Sequence, residues 1–210
     1  MNRFFCLLAA FLLPGTLSAA TVVTDGSVVG GSLVSASLTA GPDVSAEPNA
    51  TISNDGSGNL LFTPGLSDTN TDWYLTFKNL GIDPTVHQYV QVDFISVTVG
   101  AVSSPWSMFH TDNDSSIGGA NNSTQSLGIV TLQPTPFSVV VDLAAGGTGN
   151  TTWGPGTVNN LRFDLFEGDN ANKGKTFTIS AVTFGSELVP EPSTGVLALL
   201  GSLGLLRRRR

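Results

Sequence analysis

Oxygen-bearing side chains in one polar stretch are the first candidates for chemistry. Asp112, Asn113 and Asp114 follow one another and precede two serines, so hard oxygen ligands recur at short spacing. Ligands of this kind suit Ca²⁺. The stretch lacks the glycine and the distal glutamate of an EF-hand loop, and a hydrated loop is the alternative. Asp112 and Asp114 are therefore the candidate metal ligands, and no cofactor other than Ca²⁺ is expected.

Residues for enzyme chemistry are few. His87 and His110 are the two histidines. Neither has a second histidine at metal-ligand spacing, which argues against a His-based zinc site or a Ser-His-Asp triad, so we expect each at the surface or on an edge strand. A glycosidase needs two carboxylates facing each other across a cleft, and sixteen acidic residues do not select a pair. We expect a body without catalytic activity, with a secreted polysaccharide-active hydrolase as the alternative.

Aromatic side chains point to a different function, because a flat ring stacks on the apolar side of a sugar. Trp153 lies in a turn-rich segment and is the strongest candidate for exposure. Trp106 and Tyr89 are the other candidate carbohydrate contacts, whereas Trp73 alternates with apolar residues and is expected in the core. If all three tryptophans are buried, the protein is instead a purely structural surface protein.

Composition predicts the elements that must position these residues. With 24 glycines, 11 prolines and 12% charged residues, the chain favours short strands and turns over long amphipathic helices. Its one cysteine, Cys6, lies in the leader, so no disulfide is expected in the mature chain. Alternation and β-branched runs predict eight to ten strands, chiefly over Ser27–Leu38, Leu60–Phe62, Trp73–Leu80, Val86–Val99, Trp106–His110, Phe137–Leu143, Val158–Phe166 and Thr176–Phe184.

These strands predict an all-β fold, a single β-sandwich or jelly-roll-like domain over residues 21–185. Within Val86–Val99 the apolar face changes sides near Phe94-Ile95, which predicts a bulge. Asp112–Ser126 is predicted to be a long loop. The run from Phe137 to Phe184 resembles the closing strands of the galactose-binding-like jelly rolls found in carbohydrate-binding modules, which implies the same fold.

The first twenty residues predict export. Arg3 precedes the apolar run Phe4–Leu13, and Ser18-Ala19-Ala20 supplies small residues for a peptidase pocket. Residues 1–20 are therefore predicted to be a signal peptide, with signal peptidase as a partner. The apolar run is too short to cross a bilayer core of roughly 30 Å, which argues against a permanent anchor.

The last 25 residues predict a second targeting segment. We expect the body to end at Gly185 and Ser186–Pro192 to form an extended linker, because prolines flank Glu191. Thr194–Leu206 is predicted to be a hydrophobic helix about 20 Å long, short for a full membrane span. Four arginines in succession, Arg207, Arg208, Arg209 and Arg210, would stay on the cytoplasmic side and fix the orientation.

This order of parts resembles the PEP-CTERM sorting signal of Gram-negative bacteria, whose tripeptide corresponds here to Pro190, Glu191 and Pro192. Residues 186–210 form the predicted sorting signal, and the resemblance covers about the last 22 of them. It implies that the membrane transpeptidase exosortase recognises the tripeptide and removes the helix and arginines. It implies an inner-membrane precursor held transiently, and a mature form at the cell surface or in an exopolysaccharide matrix, with extracellular polysaccharide as a candidate partner.

Charge excludes another class of function. All sixteen acidic residues lie between Asp25 and Glu191, where only four residues are basic. Such a surface repels a phosphate backbone, and nucleic-acid binding is not expected. The sequence thus predicts an exported, exosortase-processed protein whose sandwich is a carbohydrate-binding or structural component.

Overall fold

The computed structural model describes residues 21–23, 26–66, 72–111, 123–145, 153, 156–166 and 170–190. Across these ranges the chain forms twelve β-strands and one 3₁₀ turn, Asn170–Asn172, with no α-helix. The strands are β1 Thr21–Val23, β2 Ser27–Ser35, β3 Val44–Pro48, β4 Ala50–Asn54, β5 Leu60–Pro64, β6 Trp73–Phe77, β7 Tyr89–Val97, β8 Ser104–Thr111, β9 Ser123–Val130, β10 Phe137–Asp142, β11 Asn160–Asp164 and β12 Phe177–Pro190.

The strands form two antiparallel sheets. The seven-stranded sheet has the order β1-β10-β7-β12-β5-β4, and β2 pairs with β12 on the same side as β5. The five-stranded sheet has the order β3-β6-β11-β8-β9. One hydrophobic core joins the inner faces of both sheets. This arrangement is a β-sandwich and confirms the predicted all-β class; the predicted C-terminal helix lies outside the described residues.

The core forms because inward and outward residues alternate along each strand. On β6, Trp73, Leu75 and Phe77 are at most 1% exposed, while Tyr74 between them points outward and is half-buried. The indole of Trp73 satisfies its own polar atom, since Nε1 donates to the carbonyl of Leu165 at 2.9 Å. The prediction that Trp73 belongs to the core is therefore confirmed.

A bulge interrupts β7 where the sequence predicts one. Phe94 pairs with Ile179 and Ser96 with Thr178, which leaves Ile95 as the extra residue. The buried face continues at Val97, which packs against the core, and Ile95 itself is 42% exposed. The buried face of β7 thus changes sides at the bulge, as the sequence predicts. Ile95 itself is exposed, although the alternation of apolar residues after Phe94 would place it in the core.

Two strand boundaries differ from those expected. The segment Asp112–Ser126, predicted to be a loop, ends inside strand β9, which begins at Ser123 and pairs with β8. The polar composition of this segment gave no sign of a strand. As an edge strand, β9 is held by backbone hydrogen bonds to β8 and does not require apolar side chains. Likewise β12 continues to Pro190, five residues past Gly185, so 186–190 is strand rather than linker.

Candidate functional site

Trp106, one of the expected sugar contacts, lies in the core and is 0% exposed. Its ring packs edge-on against Phe166 and Phe94, with centroid distances of 5.0 and 5.8 Å. Its Nε1 has no hydrogen-bond partner among the described residues. A side chain enclosed in this way does not meet a surface ligand, so the prediction for Trp106 is wrong.

The other two candidates are half-buried. Trp153 donates from Nε1 to the carbonyl of His87 at 2.7 Å and stacks parallel to Phe184 at 6.5 Å. Its ring therefore extends the core near the start of β7. Tyr89 is the first residue of β7 and pairs with Asp142 on β10 and with Gly185 on β12. Sugar contact by Trp153 or Tyr89 stays a prediction.

His87 differs from the expectation of a surface or edge position, whereas for His110 only the edge position is tested. His87 is 7% exposed, and its Nδ1 lies 3.0 Å from the carbonyl oxygen of Asp83. His110 lies on β8, which is flanked by β11 and β9 and is not an edge strand.

Several predicted site residues lie outside the described residues. They are the candidate metal ligands Asp112 and Asp114, the motif residues Glu191 and Pro192, and the arginines Arg207, Arg208, Arg209 and Arg210. Pro190 is described and ends β12. Among the described side chains, no group of three or more His, Cys, Asp or Glu residues is placed to hold a metal ion.

The outer face of the five-stranded sheet carries a cluster that sequence reasoning missed, which we call the arginine–aromatic cluster. Its members are Asp72, Tyr74, Phe109, Arg162 and Asp164. The guanidinium carbon of Arg162 lies 3.6 Å from the centroid of the Tyr74 ring and 4.6 Å from that of Phe109. The cation is thus held between two aromatic faces, a favourable arrangement when it is partly withdrawn from water.

Carboxylates hold the same cation from the side. Arg162 donates from Nη2 to Asp164 Oδ2 at 2.6 Å and from Nε to Asp164 Oδ1, a bidentate pair. Nη2 also reaches Asp72 Oδ1 at 3.1 Å. Burial lowers the pKa of Arg162, but the hydrogen bonds and charge of Asp164, followed by the charge of Asp72, outweigh it and raise that pKa overall. Arg162 is therefore a permanent cation in a fixed orientation.

The strand register brings these residues together. Arg162 on β11 pairs with Thr76 on β6 and with Phe109 on β8, and Asp164 pairs with Ser107. Residues two apart on a strand share a face, which puts Arg162 beside Asp164. The Arg-x-Asp pattern of β11 is a local signal of this pair. The contacts with Tyr74 and Phe109 depend on pairing between distant segments and have no local signal.

The opposite sheet carries a groove of about 710 Å³ on its outer face. Gln91, Asp93, Ser138 and Ser180 line it together with residues of β1, the start of β2 and the segment before β10. Ser138 Oγ donates to Asp93 Oδ1 at 2.5 Å, and Gln91 Nε2 donates to the same oxygen at 2.6 Å. The floor is thus a network of polar groups that largely satisfy one another.

Comparison with known proteins identifies the C-terminal region. The fold defines a β-sandwich domain, and the described residues contain no helix of the length and apolarity needed to cross a membrane. A family model described as the PEP-CTERM protein-sorting motif matches residues 188–210. The chain therefore carries this sorting motif, as the resemblance of its tail implied, and is an exported protein that exosortase processes.

Solved structures with weak likeness to the body were also found, whereas no curated protein matched. A low-affinity xylan-binding module, CBM86, from Roseburia intestinalis is 14% identical over 75% of this chain and 95% of its own, with a TM-score of 0.40. A family 11 carbohydrate-binding module from Clostridium thermocellum is 15% identical over 80% and 96%, with a TM-score of 0.39. The assignment of the sandwich rests on the sheets of this chain.

Proposed function

We propose that the sandwich binds carbohydrate at the arginine–aromatic cluster and acts without catalysis at the cell surface or in the exopolysaccharide matrix of a Gram-negative bacterium. In this proposal, the tail holds the precursor in the inner membrane until processing. One observation carries the binding proposal: an oriented guanidinium lies between two half-buried rings on an outward sheet face, with a carboxylate on its rim.

The cluster offers the groups that sugar recognition uses. The hydrogen bonds described for Arg162 use Nε and Nη2, and in this proposal the two N–H groups of Nη1 donate to adjacent hydroxyls of a ligand. Asp72, whose side chain is 49% exposed, adds a carboxylate at the edge of the cluster. The rings of Tyr74 and Phe109 add apolar surface beside these polar groups.

The same geometry does not favour hydrolysis at this cluster. A glycosidase needs one carboxylic acid that can donate a proton to the leaving oxygen. The buried carboxylate of Asp164 accepts two hydrogen bonds from Arg162, which favours its ionised form. This carboxylate suits the orientation of the arginine better than it suits proton donation.

A glycan array with the processed protein, followed by calorimetric titration with the best ligand, tests the proposal. Tyr74→Ala removes one ring of the cluster and should weaken binding at least about tenfold, equivalent to about 1.4 kcal/mol. Tyr89→Ala is the matched control, because Tyr89 is also half-buried but lies on the other sheet. Circular dichroism checks that both variants stay folded.

Three outcomes would contradict the proposal. Absence of binding by the wild-type protein at millimolar glycan would favour a purely structural role. Loss of binding in Tyr89→Ala but not in Tyr74→Ala would place the site on the seven-stranded sheet. Release of reducing ends from the bound glycan during prolonged incubation would favour the hydrolase.

A further inference from the structure

The groove on the outer face of the seven-stranded sheet has the size of a ligand site. Its volume of about 710 Å³ lies within the range of roughly 300–1,000 Å³ that is typical of such sites. Strands β1, β2, β7 and β10 and the segment 130–136 all contribute residues to its lining. The arginine–aromatic cluster lies on the other sheet, so the groove and the cluster share no residue.

Apolar side chains surround much of the groove. They include Val22 on β1, Val28 on β2 and Ile95 on β7. Ile95 is 42% exposed, so part of its apolar surface meets water. A ligand with an apolar portion would cover this surface, which favours binding.

The floor of the groove carries a negative charge. Among the described residues that line it, Asp93 alone has a charged side chain. Asp93 Oδ1 accepts from Ser138 Oγ at 2.5 Å and from Gln91 Nε2 at 2.6 Å. Gln91 is held in turn, because its Oε1 accepts from the backbone N–H of Val29 at 2.9 Å. In the described part of the chain both ion pairs belong to Arg162, so neither neutralises Asp93.

The hydrogen bonds of Asp93 determine which cation suits it. A carboxylate oxygen has two lone pairs, and the two bonds to Oδ1 use both of them. A guanidinium that binds a carboxylate bidentately needs both oxygens, whereas a lysine ammonium is a point charge that needs only one. The methylene stem of lysine also packs well against apolar surface. The groove therefore suits lysine better than arginine.

We propose that the groove binds a peptide segment of another protein through one lysine side chain. The ammonium pairs with Asp93 Oδ2, and the methylene stem packs against Val28 and Ile95. The groove is larger than one side chain, so part of the main chain of the segment also fits. The site is independent of carbohydrate binding at the arginine–aromatic cluster, and either can fail without the other.

Calorimetric titration of the processed protein with short blocked alanine peptides tests the ligand. The central residue is lysine, arginine or norleucine. The lysine peptide should bind at millimolar concentration, and the norleucine peptide at least about tenfold more weakly, because it lacks the charge-assisted hydrogen bond. The arginine peptide should also bind more weakly than the lysine peptide. No binding of the lysine peptide, or equal binding of either other peptide, would overturn the proposal.

Butylammonium distinguishes a peptide ligand from a small amine, since it has the stem and charge of lysine without a main chain. It should bind more weakly than the lysine peptide. Equal affinity would overturn the assignment of a peptide as the ligand.

Asp93→Asn tests the charge, because it keeps an oxygen that can accept from Ser138 and Gln91. It should weaken binding of the lysine peptide at least about tenfold. Asp43→Asn is the matched control, since Asp43 is an exposed carboxylate outside the groove. Equal weakening in both variants would overturn the proposal, because it would mean that the acidity of the whole body attracts the peptide.

Ile95→Lys gives a second test that stays informative if Asp93→Asn does not fold. It puts an ammonium on the lining of the groove at an exposed position. This ammonium should compete with the peptide for Asp93 and weaken binding at least about tenfold. Circular dichroism checks the fold of each variant, and wild-type affinity in folded Ile95→Lys would overturn the proposal.

Discussion

Asn172 is a buried polar residue whose side chain connects two segments of the sandwich by hydrogen bonds. It is 0% exposed, and its Oδ1 accepts from the N–H of Val102 at 2.9 Å. Its Nδ2 shares two protons among the carbonyl of Val102, the hydroxyl of Ser104 and the carbonyl of Phe166. One side chain thus joins the start of β8 to the segment that follows β11.

Replacement of this residue should be costly. Asn172→Ala leaves several buried donors and acceptors without partners, so we expect the free energy of unfolding to fall by about 2–4 kcal/mol. Chemical denaturation measures the change. Asn170→Ala, an exposed position on the same 3₁₀ turn, is the control and should stay within about 0.5 kcal/mol of wild type. Similar losses in both variants would contradict the role assigned to Asn172.

Side chains of the candidate site were harder to predict than their strands. Alternation correctly put Tyr74 and Arg162 on the polar faces of β6 and β11. It did not reveal that the two side chains touch, because that contact joins segments almost ninety positions apart in the chain. The burial of Trp106 was also hard to predict. Its neighbours in the chain are a proline and a serine, which suggest exposure, but β8 pairs with a strand on each side and its inner face is covered.

Among the elements, β12 has the most demanding geometry. It pairs with β7 along one edge and with β5 and then β2 along the other. The pairing with β2 shifts register between Gly185 and Glu187, and a β-bulge of this kind bends the strand. At this bend a Cβ on Gly185 would lie 2.8 Å from the carbonyl oxygen of Gly30 and from Val29 Cβ.

Gly185→Ala should therefore destabilise the fold by about 1–3 kcal/mol, because the added methyl group meets backbone that cannot rotate away. Thermal and chemical unfolding measure the loss. Gly41→Ala is a suitable control, since a Cβ there has no neighbour closer than 4.0 Å, and we expect little change or a small gain. Wild-type stability in Gly185→Ala would show that the bend is looser than described.

Sequence patterns predicted the central strands well because their residues are buried on at least one face. The alternating or β-branched runs of β6, β7, β10, β11 and the first half of β12 are all strands in the structure. The patterns failed at β9, an edge strand rich in Ser, Thr and Gln, and at residues 186–190, where the prolines that flank Glu191 suggested a linker. A strand that is held mainly by its backbone leaves little trace in its side chains.

For the molecule as a whole, acidity is the dominant electrostatic property, and part of it stabilises the fold. In Asp55, the hydrogen bond from Asn59 and then that from the N–H of Ser57 lower the pKa below the ordinary value of 3.8. In Asp83, the hydroxyl and N–H of Thr85 lower the pKa in the same way, and the charge of His87 adds to this. Both carboxylates close turns in their ionised form.

The sign of the pH dependence follows from these shifts. Because both folded-state pKa values lie below the unfolded-state value, the two carboxylates contribute stability above about pH 4. That contribution is lost as the pH falls through their folded pKa values. Stability should therefore decline below pH 4, and the Asp55→Asn/Asp83→Asn variant should decline less steeply. Urea titrations at pH 7 and pH 3 measure this difference, and parallel profiles for the two proteins would contradict it.

The position of β12 in the middle of its sheet affects the timing of assembly. Before β12 joins, β10 and β7 on one side have no hydrogen-bonded connection to β5 and β4 on the other. In a chain that crosses a membrane beginning with its amino end, this strand emerges last of the twelve described strands, together with the start of the sorting motif. The seven-stranded sheet therefore closes only when the motif itself reaches the far side, so completion of the fold and arrival of the processing signal coincide.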